Sequence, residues 1–176
     1  MNIVDLLNTY DPPSEQERLN KQAMLDFARQ HADCFSRNNL VAHFTGSAWL
    51  LDRSGENALL LHHRKLDRWF QLGGHADGDT DLARVALKEA QEESGIQGIG
   101  FVQPGIFDLD IHEIPANAKE PRHFHYDVRF LLQVTSDELL VQNAESKELR
   151  WVSKNVNDLP TDNLSVVRMF HKWTGL

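Results

Sequence analysis

The apolar positions of the chain switch between a period of two and a period of about 3.6, and the switches mark the elements. Residues 40–51 and 58–63 read as strands joined by the polar turn Asp52-Arg53-Ser54-Gly55-Glu56. The second carries the run Ala58-Leu59-Leu60-Leu61 of a strand buried on both faces. A short strand at 69–72 runs into Gly73-Gly74. Over 81–93 the period lengthens. Leu82, Ala83, Ala86 and Ala90 form one apolar stripe, widened by Val85 and Leu87, which predicts a helix. Asp79 or Thr80 caps its start and Gly95 closes it. Residues 99–102 read as a strand. Residues 106–114 alternate, with Phe107, Leu109 and Ile111 on one face and Asp108, Asp110 and His112 on the other. A loop at 115–122 leads to a long strand at 123–134, which turns toward Leu139-Leu140-Val141. A strand at 149–152 and a helix carrying Val166, Val167, Met169, Phe170 and Trp173 follow.

Upstream, residues 1–13 read as a short lead ending in the helix-blocking Asp11-Pro12-Pro13. Ser14-Glu15-Gln16-Glu17 is a capping box that opens a helix to about His31, with Leu19, Gln22, Ala23, Phe27 and Ala28 toward the inside. Its role is packing on the core or contact in a homodimer. Periodicity alone reaches α/β or α+β: a sheet with helices against it. The expected organisation is an N-terminal helical extension, 1–38, on a domain of 39–176.

Composition narrows the function. The net charge of −8, from 18 basic and 26 acidic residues, argues against a nucleic-acid polymer or an anionic membrane as partner. No apolar run approaches the ~18 residues of a membrane span. The single Cys34 makes no internal disulfide and fits a reducing compartment. The N-terminus shows no basic leader, so the cytoplasm is the expected location.

Candidate chemistry begins on the 81–93 helix. Glu89, Glu92 and Glu93 stand at i, i+3 and i+4, two of them in the last turn. Like charges repel at these spacings, and the helix dipole disfavours anions there. A solvated acidic face is one reading. A bound divalent cation is the other, because it reverses both penalties, and carboxylate oxygens suit Mg²⁺ or Mn²⁺. The surrounding order is Gly74, thirteen residues, Lys88-Glu89-Ala90-Gln91-Glu92-Glu93-Ser94-Gly95-Ile96. This resembles the Nudix box, in which a glycine is followed by five residues, a glutamate, seven residues and then R-E-U-x-E-E-x-G-U, with U aliphatic. Thr80 stands where the pattern has its first glutamate, and Lys88 where it has arginine.

The resemblance implies an α/β/α sandwich with a mixed sheet from about Leu40 to Trp173. It also implies a pyrophosphohydrolase that cleaves a nucleoside diphosphate linked to another moiety, with Mg²⁺ or Mn²⁺ held by Glu89, Glu92, Glu93 and the carbonyl of Gly74. Lys88 would orient the carboxylates, as a point charge rather than a fork. Glu89, or Glu145 or Glu148 from the later region, would accept the proton from water. Asp77 or Asp79 would compensate for Thr80. The rival reading is a non-catalytic Nudix-fold module that binds a nucleotide or a protein.

Other groups have a functional and a bland reading each. Arg64, Lys65 and Arg68 are phosphate contacts or a solvated turn. Trp69 and Phe70 stack on a base or, the better supported reading, pack in the core. His75, His112, His123 and His125 wall a phosphate pocket or decorate a solvated strand face. A His-rich zinc site ranks last, since the oxygen cluster already accounts for metal and no Cys/His finger spacing exists.

Overall fold

The computed structural model describes residues 2–116 and 120–175. In chain order the elements are α1 (Ile3–Thr9), α2 (Glu15–Gln30), β1 (Ala42–Leu51), β2 (Asn57–His63), β3 (Arg68–Phe70), β4 (Leu72–His75), α3 (Leu82–Ser94), β5 (Ile99–Phe101), β6 (Asp108–Ile114), β7 (His123–Val134), β8 (Ser146–Ser153), a 3-10 turn (Val156–Asp158) and α4 (Leu164–Thr174). The strands pair in the order β3-β2-β1-β7-β5, with β4 on β1, β6 on β7 and β8 on β2. This is a mixed sheet with four helices. The chain divides into two compact units: Met1–Ser47, Gly74–Ala86 and Pro104–Phe130 form one, and Ala48–Gly73, Leu87–Gln103 and Leu131–Leu176 the other.

In the first unit the N-terminal lead is a helix, not a bare strap. Asn2 caps α1 by accepting from the Asp5 N–H at 2.9 Å, and Ile3 and Leu7 are buried. The capping box behaves as expected: Ser14 Oγ accepts from the Glu17 N–H at 3.2 Å. The buried face of α2 is rotated from the expected one. It carries Met24, Leu25 and Phe27 together with Glu17 and Asn20, while Leu19 is 57% exposed. Tertiary partners satisfy the two polar residues. The Tyr10 hydroxyl donates to Glu17, and Asn20 Nδ2 donates to the Leu109 carbonyl at 3.0 Å.

Strands β6 and β7 pair antiparallel, with Asp108 opposite Arg129, Asp110 opposite Asp127 and His112 opposite His125. Opposite residues share a face. Around its three aspartates that face is not solvated, while the His112 side chain beyond them is 40% exposed. Arg129 is fully buried and donates to Asp127 at 2.7 Å, Asp108 at 2.9 Å and Asp110 at 3.2 Å. Thr45 and Ser47 of β1 donate to the other oxygen of Asp127 at 2.8 and 2.7 Å. Three carboxylates against one guanidinium are tolerated because each has hydrogen-bond donors. Gly46 stands between these two residues. A Cβ there would lie 2.7 Å from the Leu82 carbonyl, so glycine admits the start of α3.

In the second unit, β2 is buried from Ala58 to Leu61 and pairs with β3 on one side and β8 on the other. Pairing with β8 runs from Asn57–Ser153 to His63–Ser146, which extends that strand beyond the expected 149–152. Residues 139–141 form no strand. Instead the Val141 N–H donates to the Ser94 carbonyl at 2.8 Å, closing the end of α3, where Gly95 adopts φ 79°. Asn163 caps α4, whose Val166, Met169 and Phe170 are buried. No helix among the described residues is long and apolar enough to cross a membrane.

Candidate active site

Within the second unit the end of α3 presents its three glutamates unequally. Glu92 is exposed, Glu89 is partly covered, and Glu93 is 7% exposed. Glu93 lies three residues beyond the fully buried Ala90, so it follows the apolar stripe inward. Its Oε2 accepts the Gly73 N–H at 2.8 Å. Burial pushes its carboxyl pKa up to about 8. The neighbouring Glu89, Glu145 and Glu92 add to the rise, and the Gly73 hydrogen bond opposes it. Lys88 Nζ sits 3.8 Å from Glu89 and 3.5 Å from Glu92. Both are long for hydrogen bonds, so the ammonium acts as a nearby charge.

Glu145 and Glu148 separate. Glu145 acts electrostatically on Glu93, whereas Glu148 is half-exposed and held by Arg150 at 2.7 Å. Arg64 anchors the loop that carries Glu145. Its guanidinium donates to the Ala144 and Ser146 carbonyls at 2.9 and 2.8 Å, and its N–H donates to the Glu145 carbonyl at 2.8 Å. Lys65 is exposed in the turn that follows. Trp69 is already stacked, on His62 at 4.8 Å between centroids and under Arg150 at 4.6 Å. A groove of about 460 Å³ lined by Asp67, Arg68, Trp69 and residues 160–163 holds none of these glutamates.

The loop before α3 belongs to the first unit. Asp77, at φ 50°, makes two 2.6 Å contacts with Arg37, and Asp79 is bridged by Arg84 at 2.6 and 2.8 Å. Both carboxylates are thus drawn to arginines, and Thr80 is exposed. The cap of α3 is Asp81, which accepts from the Arg84 N–H at 3.2 Å. Asp79 caps the turn one step earlier.

The first unit also gathers histidines. His43 is 2% and His123 5% exposed. Ring centroids of His43 lie 5.0 Å from His123, 4.8 Å from His125 and 5.2 Å from His75, and His112 is 5.4 Å from His125. His112 Nδ1 meets Asp110 at 3.0 Å. Burial lowers the pKa of His75 to about 4, with Arg37 and His43 assisting, and that of His125 to about 2, with the other imidazoles assisting. Both rings are therefore neutral at the pH near 6.5 where an ordinary histidine titrates. His43 escaped the sequence reading. Its signal is the polar alternation His43, Thr45, Ser47 along β1.

Comparison with known proteins agrees with this fold. The NUDIX domain model matches residues 43–172, and the chain belongs to the Nudix family. "Putative 8-oxo-dGTP diphosphatase 3" of Mycobacterium tuberculosis is 32% identical over 128 residues, covering 65% of this chain and 55% of that protein. The chain thus spans about half the length of the curated relatives it matches. A NUDIX-family hydrolase from Clostridium perfringens superposes with a TM-score of 0.52 at 24% identity, covering 74% of this chain and 95% of that one. The dihydroneopterin triphosphate pyrophosphohydrolase of E. coli gives a TM-score of 0.57 at 15% identity, covering 74% and 94%. At these identities the structural likeness concerns the fold.

Proposed function

We propose that the chain is a metal-dependent hydrolase that cleaves a pyrophosphate bond in a nucleoside diphosphate linked to another moiety. The observation that carries this reading is Glu93: a carboxylate buried at the C-terminal turn of α3, among other glutamates, held by one backbone N–H. Such a group is costly in either state, protonated or charged, unless a cation joins it. The donor set is all oxygen, which fits Mg²⁺ or Mn²⁺. Glu89, Glu92 and Glu93 would hold the ion. When bound, it supplies charge neutralisation on the pyrophosphate oxygens and acidifies a coordinated water.

The chain's own residues do the rest. Gly73 fixes the Glu93 carboxylate, and Lys88 draws Glu89 and Glu92 together. Glu145 takes the proton from the attacking water as the water oxygen bonds to phosphorus and the bridging P–O bond breaks. Arg64 sets the position of Glu145 by gripping the loop on either side of it. His75, His112, His123 and His125 lie in the first unit, and any role of His75 or His125 toward phosphate is that of a neutral hydrogen-bond donor.

Chromatography of the nucleotide products over a panel of nucleoside triphosphates and dinucleoside or sugar-linked diphosphates tests the reading, since the cleavage leaves a nucleoside monophosphate. The name of the mycobacterial relative puts 8-oxo-dGTP on that panel. The expected result is turnover of at least one substrate that depends on Mg²⁺ or Mn²⁺ and is lost in Glu93→Gln. Binding of a nucleotide without turnover, with or without metal, would favour the non-catalytic module.

A further inference from the structure

We propose that His43, His123 and His125 form a second metal site, for a divalent transition ion of the zinc class. It rests on geometry in the first unit alone and is independent of the reading of the glutamates. One ligand nitrogen from each ring can be chosen so that all three lie within 4.8 Å of one another. A single ion about 2.0–2.1 Å from each nitrogen in a tetrahedral site requires separations of roughly 3.3–3.4 Å, so the rings would draw together on binding.

The rings are also prepared for it. His43 Nδ1 lies 3.3 Å from the Asn39 carbonyl, and His123 Nδ1 lies 2.9 Å from the Pro121 carbonyl. A carbonyl only accepts, so each Nδ1 carries the hydrogen, and each Nε2 carries a lone pair. Metal-binding histidines are commonly oriented in this way, by an outer carbonyl or carboxylate on the second nitrogen. The His43 Nε2 is buried and has no hydrogen-bond partner. An orphaned buried acceptor is costly, and a metal ion satisfies it. The remaining contact, His123 Nε2 to His125 Nε2 at 3.3 Å, needs one proton between two nitrogens. His125 provides it. On metal binding that hydrogen moves to the other nitrogen of the His125 ring, with no net change of charge.

Three neutral imidazoles select a borderline ion over Mg²⁺, which prefers oxygen. The site would tie β1 to β7 and leave a fourth position for water or another donor. His75, with its ring 4.9 Å from His125, is the nearest further imidazole.

The test uses the full chain, stripped with chelator and titrated with Zn²⁺ by calorimetry and with Co²⁺ by visible absorption. One equivalent should bind, with the intense d–d absorption of a four-coordinate site that has three imidazole nitrogens. Zn²⁺ should also shift the side-chain nitrogen resonances of His43, His123 and His125, and not those of His31, His62 or His171. Affinity should fall at least ~100-fold in His123→Ala and persist in Glu93→Gln, which separates this site from the glutamate cluster. Zn²⁺ binding lost in Glu93→Gln and kept in His123→Ala would overturn the proposal. So would unmoved ring nitrogens in the folded wild type, a readout that stands even if His123→Ala fails to fold.

Discussion

The Gly73 N–H donates to the Glu93 carboxylate at 2.8 Å, and this one bond holds a buried acid at the closing turn of α3. Its folded pKa of about 8 stands above the ordinary 4.5, so between those pH values the folded chain keeps a proton that the unfolded chain has released. Stability should therefore fall as pH rises through that window, by on the order of 5 kcal/mol. Thermal melts of the metal-free protein from pH 5 to pH 9 should show the decline, and Glu93→Gln should remove most of it. Added Mg²⁺ should raise the wild-type Tm more at pH 9 than at pH 6. An equal slope in wild type and variant would place its source elsewhere.

Lys88 sits between Glu89 and Glu92 without a short bond to either. Lys88→Ala should weaken Mg²⁺ binding and lower kcat together, because the two carboxylates then repel unscreened. Lys88→Arg should match or exceed wild type, since a guanidinium can engage both at once. Calorimetry and steady-state kinetics on the pair decide this; full activity in Lys88→Ala would make the position mere surface.

Glu145 and Glu148 give opposite expectations. Glu145→Gln should lower kcat ~10²-fold or more with KM little changed, the signature of a lost proton acceptor. Glu148 is half-exposed and engaged by Arg150, and Glu148→Gln should leave kcat near wild type. The reverse ranking would remove Glu145 from the reaction.

Arg129→Met should be the most damaging change away from the glutamates. It leaves Asp108, Asp110 and Asp127 buried without their common cation. The expected loss is ~3–5 kcal/mol, read as a lower urea midpoint, and it should shrink when Asp127→Asn is added. A loss below ~1 kcal/mol would mean that the hydroxyls of Thr45 and Ser47 suffice for the cluster.

Local patterns carried most of the element assignments. The period of two located β6, the Ala86–Ala90 stripe located α3, and Ser14 to Glu17 located the start of α2, because each signal lies within a few neighbouring residues. The box glutamates and Lys88 were legible for the same reason, with their spacing written along one helix. The chain alone could not rank them. Glu89, Glu92 and Glu93 look alike in sequence, and only burial beside Gly73 singles out Glu93. Nor could it show that Arg64 grips the Glu145 loop some 80 residues away, or that Asp108 and Asp110 are sealed by Arg129. His43 and His123 are also 80 residues apart, and their shared environment exists only once β1 and β7 are in place. Helix and strand periods are set by the backbone over a few residues, so sequence determines them. Desolvation and the partners of a buried charge depend on which distant segments arrive beside it, and these only the tertiary structure decided.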